Sequence, residues 1–385
     1  MRFYRFPMFA WASLFARRVR RCGTMSIAIF GFLSPIPSAQ AAGVVAGVNV
    51  INPYVLSVAD QDAMLDAIHA AGVSTIRASI TLDDKGVDYA ERAWQRGIRI
   101  EWLIYHFGGY DPFGTTPLSG ADPARFRATL QPILDRLEAK GVVLAAFELG
   151  NEINLSGTNP EFAKPAGRPR QLSLLDLDKD PQGQRVARGF RQYLKMLGVL
   201  KEIRDHSKLN RSTPITTAGF GTYEQDDGFL PGWAKGDIVG IHTTLSYLRA
   251  HGLDSLVDAY AVHIYPDTTH AIANAPAVRG QRIAKYDLTD CRPPGSRDGK
   301  PCWITEWGID NKATNCPIDD DQRAQFVEEI MADFRPYARA GSVAGLLYFA
   351  WNSAPGAGSV LASSIWRCGG LTKAGRSATD ARLLH

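Results

Sequence analysis

The sequence predicts an α/β chain, a (β/α)8 TIM barrel with elaborated loops on its C-terminal face. Three observations carry this. Short apolar runs alternate with helical patterns from residue 43 to the end, the signature of a parallel sheet with crossover helices. Glycines stand where the helical patterns stop, at Gly72, Gly97 and Gly141. Eight such strands are counted, and the 344 residues that follow an N-terminal leader exceed the ~250 of a typical barrel by enough for long loops.

Residues 1–41 read as a secretory signal peptide. Arg17, Arg18, Arg20 and Arg21 form a basic region, Met25 to Leu33 an apolar one, and Ala39-Gln40-Ala41 a small-residue cleavage site. Ser34-Pro35-Ile36-Pro37 ends the apolar stretch well short of the ~20 residues a membrane span needs. Cleavage after Ala41 leaves residues 42–385 as one catalytic-sized domain, exported to the periplasm or beyond. Six of the 43 basic residues leave with the leader, so 37 face 39 acidic ones and the balance is −2 rather than +4. No basic face remains for nucleic acid, and no membrane partner is expected after cleavage. The sequence does not set the oligomeric state.

The elements follow in order. Gly43 to Val50 is the first strand, ending in polar Asn49 and Asn52. Val58 to Ala71 is a helix with Ala59, Ala63, Leu65, Ile68 and Ala71 on its apolar face. Ser74 to Ile80 is the second strand, Val87 to Gln95 the next helix, and Ile98 to His106 the third strand. Pro123 opens a helix that runs to about Lys140. The run Val142 to Phe147 is the fourth strand and ends at Asn151-Glu152. Residues 156–183, rich in Gly and Pro, read as a long irregular loop walling the active face. Val186 to His206 is a helix whose face is Val186, Phe190, Leu194, Leu197 and Leu200. Pro214 to Gly221 and Ala259 to Pro266 are the fifth and sixth strands, with a partly helical region between. Pro301 to Gly308 is the seventh, Asp320 to Ala340 a helix, and Val343 to Trp351 the eighth.

After cleavage four cysteines remain, an even count that suits an exported protein. Their spacing fits no zinc pattern. Barrel polarity pairs Cys291 with Cys302 at the bottom face and Cys316 with Cys368 at the top.

The chemistry is expected at strand ends four and seven. Phe147-Glu148-Leu149-Gly150-Asn151-Glu152 and Ile304-Thr305-Glu306-Trp307-Gly308 each carry an apolar strand into a carboxylate, at the end of a barrel where βα loops open. A single such glutamate is more often a solvated loop residue. Two on opposite sides of one mouth match the acid/base and nucleophile of a retaining glycosidase, roughly 5–5.5 Å apart. One of Glu152 and Glu306 would be the acid/base and the other the nucleophile, with no metal or organic cofactor required.

In this ordered set the chain resembles the clan A retaining glycoside hydrolases, which include the family 5 cellulases and family 39 xylosidases. The resemblance runs from Asn49 to Trp351. It rests on Asn151-Glu152, which it makes the acid/base pair, on Glu306, which it makes the nucleophile, on Arg77 of the second strand, His106 of the third, His263 and Tyr265 of the sixth, and Trp351 of the eighth. Ile153 stands where the clan commonly has proline, while Asn154 fits the Asn-Glu-Pro-Asn form of family 39.

Each supporting residue has a chemical role in this reading. Arg77 and Tyr265 would hydrogen-bond Glu306 and keep it ionised, with Glu148 as an alternative partner for Arg77. Asn151 would hold a sugar 2-hydroxyl. His263 and His106 would bind hydroxyls or tune Glu152, and Trp351 would stack on a sugar ring. Trp307, Trp102, Tyr105 and Tyr223 are weaker candidates for stacking. The expected partner is a carbohydrate, cleaved internally in a long groove. Exo action as a β-xylosidase or glucuronidase-like hydrolase, or a non-catalytic glycan-binding barrel, are the alternatives. Arg168-Pro169-Arg170 reads as a solvated loop rather than a site for an acidic polysaccharide. No Gly-rich phosphate loop follows the late strands, and His69, His206, His242, His251 and His270 form no ligand pair.

Overall fold

The computed structural model describes residues 43–162, 168–222, 236–265, 279–280, 283, 288–310, 320–352 and 362–385. The leader segment 1–41, Tyr223, His270 and Cys316 lie outside them. Eight parallel strands form the barrel: β1 (Val45–Val50), β2 (Thr75–Ser79), β3 (Arg99–Ile104), β4 (Ala146–Leu149), β5 (Ile215–Thr216), β6 (Tyr260–Ile264), β7 (Cys302–Trp307) and β8 (Val343–Tyr348). They pair in the order β5-β4-β3-β2-β1-β8-β7-β6. Parallel bridges from Thr216 to Ala259 and from Phe220 to Val262 join the two ends and close the ring.

The crossover helices include α1 (Val58–Ala70), α2 (Asp84–Gln95), α3 (Pro123–Ala139), α4 (Pro181–His206), α5 (Ile241–Ala250) and α6 (Asp321–Arg339). Their starts are written in the sequence. The side chains of Ser57, Asp83, Asp122 and Asp180 accept the first free N–H groups of α1 to α4, each worth ~1 kcal/mol. Gly72, Gly97 and Gly141 follow the ends of α1 to α3 at φ of 77°, 74° and 77°, a left-handed turn that costs a glycine nothing. The α4 face is as expected, since Val186, Phe190, Leu194, Leu197 and Leu200 are all buried.

Two expectations are corrected. In α1 the buried face is Gln61, Leu65 and Ile68, not the alanines. Gln61 is tolerated there because its amide donates to the carbonyls of Pro53 and Leu56. Residues 156–183 are not structureless: Gln171–Leu172 pairs with Ile238–Val239, and a short helix, Leu174–Lys179, is closed by a capping box on Ser173.

The main core lies between barrel and helices. A smaller cluster packs together Ala146, Trp303 and Leu347 from three barrel strands and Ala259 from just before β6. Alternation puts Glu148 on the same face of β4 as Ala146, so polar groups succeed apolar ones toward the C-terminal end. Cys291 and Cys302 are disulfide-bonded, as expected. Cys368 is also disulfide-bonded, and the expected Cys316 partner lies outside the described residues. Among the described residues no helix is long and apolar enough to cross a membrane.

Candidate active site

Arg77 organises the mouth of the barrel. It is 3 % exposed, and each of its five N–H groups has an acceptor. Nε and Nη2 donate to the two oxygens of Glu148 at 2.7 and 2.8 Å. Nη1 donates to Asn49 Oδ1 at 2.8 Å and to Glu306 Oε1 at 2.7 Å. Nη2 also donates to Asn151 Oδ1 at 2.6 Å. Both partners anticipated for Arg77 are therefore engaged at once. Burying a guanidinium is tolerable because its charge is matched and its donors are filled. Desolvation would lower its pKa, but Glu148 and Glu306 hold it well above the ordinary arginine value.

Glu306 reaches this network through an irregularity of β7. Val262 and His263 of β6 pair with Ile304 and Glu306, so β7 carries one extra residue at Thr305. The register against β8 shifts at the same place. Strict alternation from inward-facing Trp303 would turn Glu306 outward; the bulge turns it back into the barrel. There its Oε1 accepts from Arg77 and its Oε2 from the Tyr265 hydroxyl at 2.7 Å, and His263 Nδ1 lies 3.6 Å from Oε2. Burial would raise its pKa, but His263, Arg77 and Tyr265 outweigh it and hold the carboxyl below the usual range. The Tyr265 hydroxyl is pushed up by desolvation and by the charge of Glu306, so it stays a donor.

Glu152 sits at the β4 end in the left-handed region, at φ 47°. Its N–H donates to Gly219 carbonyl at 2.8 Å, and its Oε1 meets His263 Nδ1 at 2.9 Å. Strain of this kind, ~1–3 kcal/mol, persists only where surroundings enforce it. Here two glycines make the room. A Cβ on Gly221 would come within 2.5 Å of Glu152 Oε1, and one on Gly219 within 2.1 Å of His263 Nε2. Burial would lower the His263 pKa, but Glu306 and Glu152 raise it above the ordinary value. Oxygens of Glu152 and Glu306 and a ring nitrogen of His263 all lie within 4.8 Å of one another. Three such atoms can hold a cation, yet Glu306 already accepts from a guanidinium and a phenol, a donor set that disfavours a second positive charge.

Arg77, Asn151, Glu152, His263, Tyr265 and Glu306 thus converge. His106 does not join them. It lines the same cavity, is 59 % exposed, and lies 3.7 Å from Asp111. Trp351 is 1 % exposed and stacks on Trp366 at 5.2 Å, so the face expected to meet a sugar is occupied. Phe349 lines the cavity at that strand end instead. Trp102 and Trp307 are fully buried. Trp307 packs edge-on against Phe334 and Tyr348 in the helix layer, on the opposite phase from Glu306. Arg170 is tied to Asp237 and Asp180.

Sequence reading noted Asn49 without giving it a role in the site, and passed over Gly219, Gly221 and Glu101. Asn49 also donates to the Thr305 carbonyl at 2.8 Å, pinning the β7 bulge. Its signal was a polar residue ending an otherwise apolar strand. Glu101, on β3, is fully buried and raised well above the ordinary carboxylate range by desolvation and then by the charge of Glu148. The cavity over this site has a volume of about 580 Å³ and extends over the ends of β1, β2 and β3.

No protein-family model and no curated protein matches the chain. Solved structures do match. A broad-specificity endoglucanase of glycoside hydrolase family 5 from an uncultured bacterium is 14 % identical, with a TM-score of 0.53 over 90 % of this chain and 95 % of that one. The likeness establishes the barrel fold. A β-galactosidase from the Antarctic haloarchaeon Halorubrum lacusprofundi is 13 % identical, with a TM-score of 0.52 over 87 % of this chain and 57 % of that one. An endo-1,4-β-D-mannanase from Thermotoga petrophila is 14 % identical, with a TM-score of 0.50 over 88 % of this chain and 99 % of that one.

Proposed function

We propose that this barrel is an exported glycosidase that cleaves a polysaccharide or oligosaccharide with retention of configuration, acting internally. One observation carries the reading: carboxylates from β4 and β7 meet at one mouth, with oxygens and a shared histidine nitrogen within 4.8 Å. That closeness suits a nucleophile touching the anomeric carbon, whereas an inverting pair stands ~6.5–9.5 Å apart to admit a water. The glycosidases among the solved structures of like fold agree with it by analogy.

In this mechanism Glu306, ionised by Arg77 and His263 and oriented by Tyr265, attacks the anomeric carbon. Glu152 gives its proton to the leaving oxygen. A water then enters on the vacated side, Glu152 takes its proton, and the glycosyl–Glu306 ester is hydrolysed. Asn151 accepts from Arg77 through Oδ1, which leaves its amide N–H groups for the sugar 2-hydroxyl. No step calls on a metal or an organic cofactor.

Export rests on the residue 1–41 leader and agrees with the Cys291–Cys302 disulfide, a bond of oxidising compartments. Internal cleavage agrees with a cavity whose rim is open at His106 and Phe113. The test is a panel of neutral and acidic polysaccharides offered to wild type and to Glu306→Gln. Wild type should release oligosaccharides from one of them, and the variant should not. Release by both proteins at equal rates would overturn the nucleophile, and release of monosaccharide alone would replace internal with terminal cleavage.

A further inference from the structure

The cavity holds more than the six converging residues need. Phe113 lines it with 71 % of its surface exposed, the most exposed of the large apolar side chains among the described residues. Fully burying such a ring is worth ~1.5–3 kcal/mol, so a folded chain that leaves it in water forgoes that gain. Its exposure is not the looseness of a free tip. The Phe113 N–H donates to Asp111 Oδ1 at 3.1 Å, and the Gly114 N–H donates to the Asp111 carbonyl at 3.3 Å. A Cβ on Gly114 would fall 2.1 Å from the Asp111 carboxylate, so the turn is closed tightly. The Phe113 ring stacks on Tyr105, with centroids 5.4 Å apart and planes 23° from parallel. Tyr105 lies directly after β3 and lines the same cavity as Asn151, Glu152 and Glu306. A flat apolar surface therefore runs from the reacting pair to the cavity rim.

The loop after β1 supplies a second exposed ring to the same cavity. Tyr54 is 39 % exposed, and its hydroxyl donates to Asn52 Oδ1 at 3.2 Å. Asn52 holds φ 45°, a left-handed backbone that is uncommon outside glycine. Rings with a wet polar edge beside them suit a ligand that has both C–H faces and hydroxyl rims.

The charges narrow the ligand further. Of the described residues lining the cavity, Arg77 has all five donors committed to protein acceptors. His106 already has the Asp111 carboxylate within 3.7 Å. The remaining ionic groups, Glu152 and Glu306, repel an anion.

Resting on the glycosidase reading, we propose that Tyr105 and Phe113, with Asn52 and Tyr54, form a stacking subsite for a neutral sugar unit of the substrate. Neutral glycans are thereby favoured over uronate polymers. The test is calorimetry on Glu306→Gln, with and without Phe113→Ala, using cellohexaose, mannohexaose, xylohexaose and hexagalacturonate. At least one neutral hexaose should bind more tightly than hexagalacturonate. Phe113→Ala should weaken that binding about tenfold, the scale of one aromatic contact, and Phe113→Trp should restore it. Circular dichroism checks that each variant is folded. In the active protein, Phe113→Ala should lower kcat/KM for that hexaose relative to an aryl monoglycoside of the same sugar, through KM. Binding that ignores Phe113→Ala, preference for hexagalacturonate, or no binding of any neutral hexaose would overturn the subsite. Phe113-dependent binding without hydrolysis by wild type would instead sink the activity and leave the subsite standing.

Discussion

The ends of β4 and β7 carry the same side chain in different company. Glu306 is 12 % exposed and receives two direct donors, Arg77 and Tyr265. Glu152 is 26 % exposed and, among the described residues, its carboxylate has one hydrogen-bond partner, His263, on a strained backbone. The bulge delivers one carboxylate into a cationic nest, while a left-handed residue holds the other near water. In the proposed mechanism the first carboxylate is the nucleophile and the second the proton carrier. The environment, rather than the residue type, assigns the roles.

The largest test of this difference is Glu306→Gln. Activity on any glycan the wild type cleaves should fall at least ~10³-fold, as expected when a nucleophile is removed. Glu152→Ala should lose ~10²–10⁴-fold on a natural glycan but much less on a dinitrophenyl glycoside, whose leaving group needs little protonation. Equal losses on both substrates would erase the distinction between the two strand ends. Arg77→Lys keeps a charge but cannot fill five acceptors. Activity should drop about 10–100-fold. Because Arg77 helps hold the Glu306 pKa down, the acid limb of kcat/KM should move to higher pH in the residual activity. A limb that stays in place would mean Glu306 does not depend on Arg77.

The smallest effect is structural and lies below the pair. Glu101 is buried with no donor to either oxygen, and its pKa is raised by desolvation and Glu148. A carboxyl raised on folding binds more protons in the folded state. The stability it lends is fully present below the unfolded value near pH ~4.3 and is lost as pH rises toward the folded one. Glu101→Gln should remove this slope, so the variant gains on wild type by on the order of 1 kcal/mol between pH 5 and 8 in urea unfolding. Parallel stability profiles would show that Glu101 is not protonated.

The barrel was legible because each strand is an apolar run and each early helix is bracketed by a capping side chain and a glycine. Glu152 and Glu306 were legible because each ends such a run. The bulge was not, since alternation carries no mark of one extra residue at Thr305. Aromatic side chains were the least legible. Trp351, Trp307 and Trp102 read as sugar platforms and proved to be packing, because a ring pattern is the same whichever face it fills. Gln61 was passed over in α1 for the opposite reason: a buried amide is betrayed only by the carbonyls that satisfy it.

The most direct measurement is the anomeric configuration of the first-formed product, read by proton NMR during cleavage of whichever glycan the wild type degrades. Attack by Glu306 followed by water predicts that the β-anomer of a β-linked substrate appears first and equilibrates later. First appearance of the α-anomer would mean a single displacement by water, and the assignment of Glu306 as a covalent nucleophile would be wrong.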